Sequence, residues 1–207
     1  MMQDVVFTIG HSTQPLERFI ALLKQHEITA LADVRSKPYS RMNPQFNREA
    51  LKEALRQNEI AYVFLGNELG ARSADRSCYH QGKVQYPRLA ETEPFRTGLE
   101  RVQEGAKKHR IALMCAEKEP LECHRTILVS RQLDAVGVEV HHILGDGRLE
   151  SHADAMSRLI RQLHLPEEDM FKSRGEILDE AYRLQGERIA YTEEVPDDPG
   201  AVRSAAG

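Results

Sequence analysis

Over the first 165 residues, short apolar runs alternate with amphipathic stretches of helical period. Val5–Ile9 reads as a buried strand closed by Gly10. Pro15 pre-sets a helix start after Ser12 or Thr13, and Leu16, Phe19, Ile20, Leu22 and Leu23 give that helix its apolar face. Ala30–Val34 is a second strand, followed by a helix capped at Asn47 with the stripe Ala50, Leu51, Ala54 and Leu55. Ala61–Leu65 is a third strand, with a long loop after it to about Pro94. Phe95, Leu99, Val102 and Ala106 mark the next helix, and Ile111–Cys115 the fourth strand. A helix from about Leu121 to Val136 ends on Gly137, in the C-terminal cap position. Val138–Leu144 alternates and reads as an edge or half-exposed strand, and a helix over about Ala153–Leu163 completes the body. This order implies an α/β fold, a mostly parallel five-stranded open sheet in a three-layer α/β/α, Rossmann-like arrangement.

Pro166 breaks the pattern, dividing a body of residues 1–165 from a C-terminal extension of 166–207. Ser173–Glu176 has the form of a capping box, and Ile177, Leu178, Ala181 and Leu184 supply a stripe able to dock on the body. Past Tyr191 the composition predicts disorder.

Charge changes this picture more than size does. At 207 residues the chain can bury a full core without disulfides or metal. No run approaches the roughly 18 apolar residues of a membrane span. The N-terminus lacks a basic segment before an apolar one, and three cysteines do not make a disulfide scaffold, so a reducing cytoplasm is expected. The net charge of −4 is uneven: residues 166–207 hold eleven acids and five bases. The body is therefore slightly basic and carries all nine histidines. Residues 35–48 hold Arg35, Lys37, Arg41 and Arg48 with no acid, and residues 71–90 hold Arg72, Arg76, Lys83 and Arg88 against Asp75 alone. Both follow strands, so they fall on one rim, and the acidic tail is a candidate competitor for it.

Ligands of open parallel sheets bind outside the carboxyl ends of the strands. The residues delivered there are His11 and Ser12; Asp33, Arg35, Ser36, Lys37 and Ser40; Asn67, Glu68 and Gly70, then a loop with Arg72, Arg76, Cys78, His80 and Lys83; Cys115, Glu117, Cys123, His124 and Arg125; and His142, Asp146 and Gly147, with Arg41 of the first basic segment a further candidate for binding. The basic members suit an anion, most simply a phosphate, with Arg125 and helix N–H groups contributing; Arg125 pairing with Glu117 or Glu122 is the structural alternative. His11, Glu117, His124 and Cys123 are the candidate catalytic groups. Asp33, inside an apolar run, needs a buried partner, for which Arg35 or the His11 backbone is at hand. His142 shares a face with Val138 and Val140 and reads as a core histidine.

The cysteines leave several readings open. A phosphatase loop needs arginine six residues after the cysteine, where Leu121 stands, and a rhodanese-type loop is not spelled out. Cys123 near a helix start has the setting of a nucleophile or a redox partner of Cys115. A zinc site from Cys115, Cys123, His124 and another histidine would use a Cys-x7-Cys-His spacing that matches no common ligand pattern, so no metal ligands are assigned and no cofactor is expected. Cys115 also reads simply as a small core residue at a strand end.

Thr8-Ile9-Gly10-His11-Ser12, Asp33-Val34-Arg35 with Pro38 and Ser40, Leu69-Gly70, Cys115-Ala116-Glu117 and Cys123-His124-Arg125 together resemble the bacterial domain-of-unknown-function family 488. The resemblance spans about residues 4–148, and Glu180–Tyr182 and Ile189–Tyr191 also fit it. It implies no reaction, substrate or cofactor; a link to DNA repair attaches loosely to some members. What it carries over is the set His11, Asp33, Arg35, Ser36, Ser40, Cys115, Glu117, Cys123, His124 and Arg125. Gly70-Ala71 departs from the paired glycines of the family pattern. The expectation is an enzyme acting on a phosphate-bearing small molecule, nucleotide or nucleic-acid end. The alternatives are a non-catalytic nucleic-acid-binding module, against which a pI of 6.2 counts, and a thiol redox or sulfur-handling protein using Cys115 and Cys123.

Overall fold

The computed structural model describes residues 4–193. In chain order the elements are β1 (Val5–Gly10), α1 (Leu16–Gln25), β2 (Ala30–Asp33), α2 (Arg48–Gln57), β3 (Ala61–Phe64), α3 (Gly66–Leu69), β4 (Tyr79–His80), β5 (Lys83–Val84), α4 (Tyr86–Ala90), α5 (Glu93–Ala106) and β6 (Ile111–Cys115). A π-helical segment, Arg125–Ser130, then runs into α6 (Arg131–Ala135), followed by β7 (Glu139–Ile143), β8 (Leu149–Ser151), α7 (His152–Gln162) and α8 (Arg174–Ile189).

The main sheet has the order β3-β2-β6-β1-β7-β8, parallel throughout except for the β7–β8 pair. It is six-stranded, one strand more than the apolar runs predict, and β7 is interior, between β1 and β8, instead of an edge. The reason is that β8 is a three-residue, half-exposed strand with no apolar run to announce it. Alternation along the central strands sorts side chains to two faces. Phe7, Ile9, Leu31, Ala112 and Met114 pack against Phe19, Leu22 and Leu23 of α1 and Leu51 and Leu55 of α2. Val6, Ala32, Leu113 and Val140 face α5, α7, α8 and the π-helical segment. The result is a three-layer α/β/α domain.

Three further expectations are corrected. The stretch before Pro94 is not a single loop: it holds α3, the antiparallel β4–β5 hairpin and α4, all too short to leave a periodic signal. The helix expected over Leu121–Val136 starts with a 3-10 turn at Pro120–Glu122, passes through Cys123 in extended geometry and becomes π-helical at Arg125. The disorder expected past Tyr191 does not begin at once: Thr192 bridges to Lys83 and the Glu193 amide donates to the Gly82 carbonyl at 2.9 Å. The rest of that acidic tail lies outside the described residues. Among the described residues no helix is long and apolar enough to cross a membrane.

The C-terminal α8 carries the Ser173–Glu176 capping box and buries Ile177, Ala181 and Tyr182 in the core. A polar chain runs through this core from sheet to helix. Thr8 Oγ1 lies 2.8 Å from His142 Nδ1, His142 Nε2 lies 3.1 Å from His152 Nδ1, and His152 Nε2 lies 2.7 Å from Tyr182 Oη. Burial holds both rings neutral, pushing His142 well below the usual histidine range and His152 to about 4. The unfolded chain takes up a proton near pH 6.5, so this arrangement stabilises fully above that pH and loses its contribution as pH falls toward 4. For His152 alone the loss is on the order of 3 kcal/mol. Urea unfolding should therefore show a steep fall in stability from pH 7 to pH 4 that His152→Gln flattens. Parallel pH curves for the two proteins would contradict it.

Candidate functional site

β1, β6 and β2 are adjacent at the centre of the sheet, so their carboxyl ends deliver residues to one place. The first constraint there is steric. A Cβ on Gly10 would lie 1.8 Å from the Glu117 carbonyl oxygen, so only glycine lets the segment after β6 cross the end of β1. The crossing is bonded on both sides. The amides of His11 and Ser12 donate to the carbonyls of Cys115 and Ala116, each at 2.9 Å. Arg125, fully buried, donates to the next carbonyls, of Glu117 at 2.8 Å and Lys118 at 3.3 Å.

Asp33 is fully buried at the end of β2, and Arg35 is its partner. The guanidinium is bidentate, Nε to Oδ1 at 2.9 Å and Nη2 to Oδ2 at 2.7 Å, and Tyr62 donates its hydroxyl to Oδ2 at 2.8 Å. Arg35 also donates to the Phe46 carbonyl at 2.8 Å and lies 3.1 Å from His11 Nε2. That leaves one of its five N–H groups uncommitted. His11 is held equally firmly. Its Nδ1 donates to the Ser12 carbonyl at 2.7 Å, and its ring stacks on Phe46 at 4.3 Å. Burial, with help from the Arg35 charge, lowers its pKa to about 4, so the ring is neutral and both nitrogens are engaged.

The third group gathers sulfur and imidazole. Cys115 closes β6, Cys123 follows the 3-10 turn, and His124 caps the π-helical segment; all three are buried. His124 Nε2 lies 3.1 Å from the Val34 carbonyl and must donate to it, so Nδ1 presents its lone pair to both sulfurs, at 3.7 Å from Cys115 and 3.8 Å from Cys123. Glu117 is an exposed residue, but its Oε2 accepts from Cys123 Sγ at 3.0 Å. Burial and the neighbouring sulfur raise the Glu117 pKa. For Cys123 burial works upward, but the Cys115 thiol and the Arg125 charge outweigh it and hold the group well below the ordinary thiol range. Cys115, whose thiol proton is donated to Cys123 and which is itself buried, is raised well above that range. His124 is raised despite burial, because Cys123 and Glu117 face it.

A pocket of about 160 Å³ opens onto this group. One wall is Cys115, Ala116, Glu117 and His124; the other is Arg35, Ser36, Lys37, Ala71 and Arg72. The exposed Arg72 guanidinium stacks over Tyr191 at 4.2 Å, and its amide donates to Ser36 Oγ at 3.0 Å. Gly70 closes the floor behind Ser36, since a Cβ there would sit 2.4 Å from Ser36 Oγ. A larger groove of about 290 Å³ lies along β2 and β3 beside α5, lined mainly by apolar groups such as Ala30, Ala61 and Ile111, with Arg101, Glu104 and His109 at it as well.

Of the residues singled out from sequence, Arg35, Ser36, Cys115, Glu117 and His124 line the pocket, and His11, Asp33, Cys123, Arg125 and Gly70 stand directly behind it. Ser12, with its backbone at φ 50°, turns the chain away after His11. Ser40 Oγ accepts from the amides of Met42 and Asn43, and the Ser40 amide donates to Asn47, so Ser40 shapes a turn; Arg41 is exposed and outside the pocket. Asn47 occupies the cap position of α2 but uses its side chain on Ser40 instead of the helix. Lys37 and Arg72, delivered after the second and third strands within the two basic segments, are the other cations that line the pocket.

The family model described as domain of unknown function DUF488 matches residues 15–132, more than half of the chain. The protein is a three-layer α/β protein with its candidate site at the carboxyl ends of the strands, and it belongs to this family. No curated protein and no solved structure matched it.

The Asp33–Arg35 pair is the most consequential buried interaction behind the pocket. Arg35→Ala leaves the Asp33 carboxylate without its cation, a loss of about 3–5 kcal/mol for a buried pair. Chemical denaturation checks this, and a loss below about 1 kcal/mol, the range of exposed pairs, would contradict the geometry.

Proposed function

We propose that this protein is an enzyme acting on a phosphate-bearing small molecule, nucleotide or nucleic-acid end whose anionic group enters the pocket between Lys37, Arg72 and His124. The observation that carries this reading is the asymmetry of the pocket: the exposed cations Lys37 and Arg72, neither in a salt bridge among the described residues, on one wall, and Cys115, Glu117 and His124 on the other. Cations bind the anion; the titratable wall holds and moves protons. At about 160 Å³ the cavity is below the 300–1,000 Å³ of typical drug-sized ligand sites, so it takes one small anionic group while any larger remainder stays outside. Arg35 and Arg125, bonded to Asp33 and to loop carbonyls, position the walls more than they contact ligand. A second reading, thiol redox or sulfur handling, is favoured by the two thiols that share one imidazole nitrogen.

Calorimetric titration with inorganic phosphate and with a nucleoside monophosphate should show binding that Lys37→Ala combined with Arg72→Ala weakens about tenfold or more, roughly 1.4 kcal/mol. Binding indistinguishable between the two proteins, or none in either, would overturn the reading.

A further inference from the structure

Three side chains at the back of the pocket have a spatial relation that their spacing along the chain conceals. The ligand atoms of Cys115, Cys123 and His124 all lie within 4.8 Å of one another. Zinc bonds of about 2.3 Å to sulfur and about 2.0–2.1 Å to nitrogen set the edges of a tetrahedral site at roughly 3.6 Å for S···N and roughly 3.8 Å for S···S. The observed S···N separations are 3.7 and 3.8 Å. The remaining S···S edge is within 4.8 Å. We propose that Cys115, Cys123 and His124 bind a thiophilic divalent cation of the zinc type, with the fourth coordination position directed at the pocket.

The second observation is the tautomer of His124. Metal-ligating histidines nearly always donate their other ring N–H to a carboxylate, a carbonyl or water, which fixes the ring and the free lone pair. His124 does so through Nε2 to the Val34 carbonyl, and this leaves Nδ1 aimed between the sulfurs.

Two cysteines and one histidine leave one position for water or substrate, which is the make-up of a catalytic zinc site, where structural sites fill all four positions with protein. Cys115 and His124 line the pocket while Cys123 lies behind, so the open position faces the anion-binding wall. Glu117, 3.0 Å from Cys123 Sγ, stands beside it as a proton acceptor or as a closing ligand. Metal binding stands on this geometry alone; only the role of the metal as Lewis acid toward the anion rests on the proposed function.

Cobalt(II) titrated into the chelator-treated full chain supplies the test. One equivalent should bind with intense visible bands of a tetrahedral site and a near-ultraviolet thiolate-to-metal band, and zinc should bleach both. A chromogenic thiol reagent should find Cys115 and Cys123 protected by metal and released by chelator. Cys78→Ser, which changes a buried cysteine outside the cluster, should leave the spectrum intact. Cys115→Ser or His124→Gln should weaken zinc by more than about 100-fold, beyond the 10–100-fold that outer-shell changes cost. Absence of stoichiometric binding, an octahedral spectrum without thiolate bands, or a Cys115–Cys123 disulfide that forms equally with and without zinc would overturn the proposal. Lys37→Ala with Arg72→Ala should leave cobalt binding unchanged, so failure of the metal site and failure of the anion site are read separately.

Discussion

The carbonyl of Glu117 occupies the space where a Cβ on Gly10 would stand, and most of the site follows from that crossing. It brings the segment after β6 down onto the end of β1, where the His11 and Ser12 amides bond its carbonyls. Arg125 holds the same segment with two donors. A buried guanidinium spent on carbonyls is costly to desolvate, and its compensation is the electronegative cluster next to it. The crossing therefore sets the positions of Cys115 and Glu117, and through Arg125 the start of the helical segment that carries Cys123 and His124.

A parallel device fixes the other wall. Asp33 and Arg35 form a closed ion pair that takes in Tyr62, Phe46 and His11, so β2 presents a rigid edge to the pocket. Substrate-facing charge is left to Lys37 and Arg72, which are exposed and adaptable. The pocket thus combines a buried, internally bonded wall with a wall of exposed cations, a division that suits the proposed binding of a small anion without rebuilding the core.

The fold was largely legible because buried parallel strands must be continuous apolar runs, and β1, β2 and β6 are. β8 and the β4–β5 hairpin were not, since two- and three-residue strands bury too little to pattern a sequence. In the site, the rule that ligands gather at strand ends found Cys115, Glu117, His124 and Arg35. It did not distinguish a cation free to bind ligand from one already bonded to protein: Arg35 and Lys37 look alike as charges, but only the first has a carboxylate two residues before it aimed back at its guanidinium. The sulfur cluster was hidden for a related reason. Ligand-spacing patterns describe knuckles and helices, whereas Cys115 and Cys123 are joined by an irregular segment and meet only because of the crossing at Gly10. The polar chain Thr8–His142–His152–Tyr182 depends on α7 and α8 docking on the sheet, which no local pattern states.

One pocket unites a sulfur–imidazole cluster with an opposing pair of cations. Anomalous diffraction at the zinc edge, from crystals grown with zinc and phosphate, tests in one experiment whether the two act together. The metal peak should lie among Cys115 Sγ, Cys123 Sγ and His124 Nδ1, with phosphate density between it and Lys37 and Arg72. Zinc bound to surface groups such as His80 or His109 with the cluster empty, or phosphate held away from these residues, would contradict it.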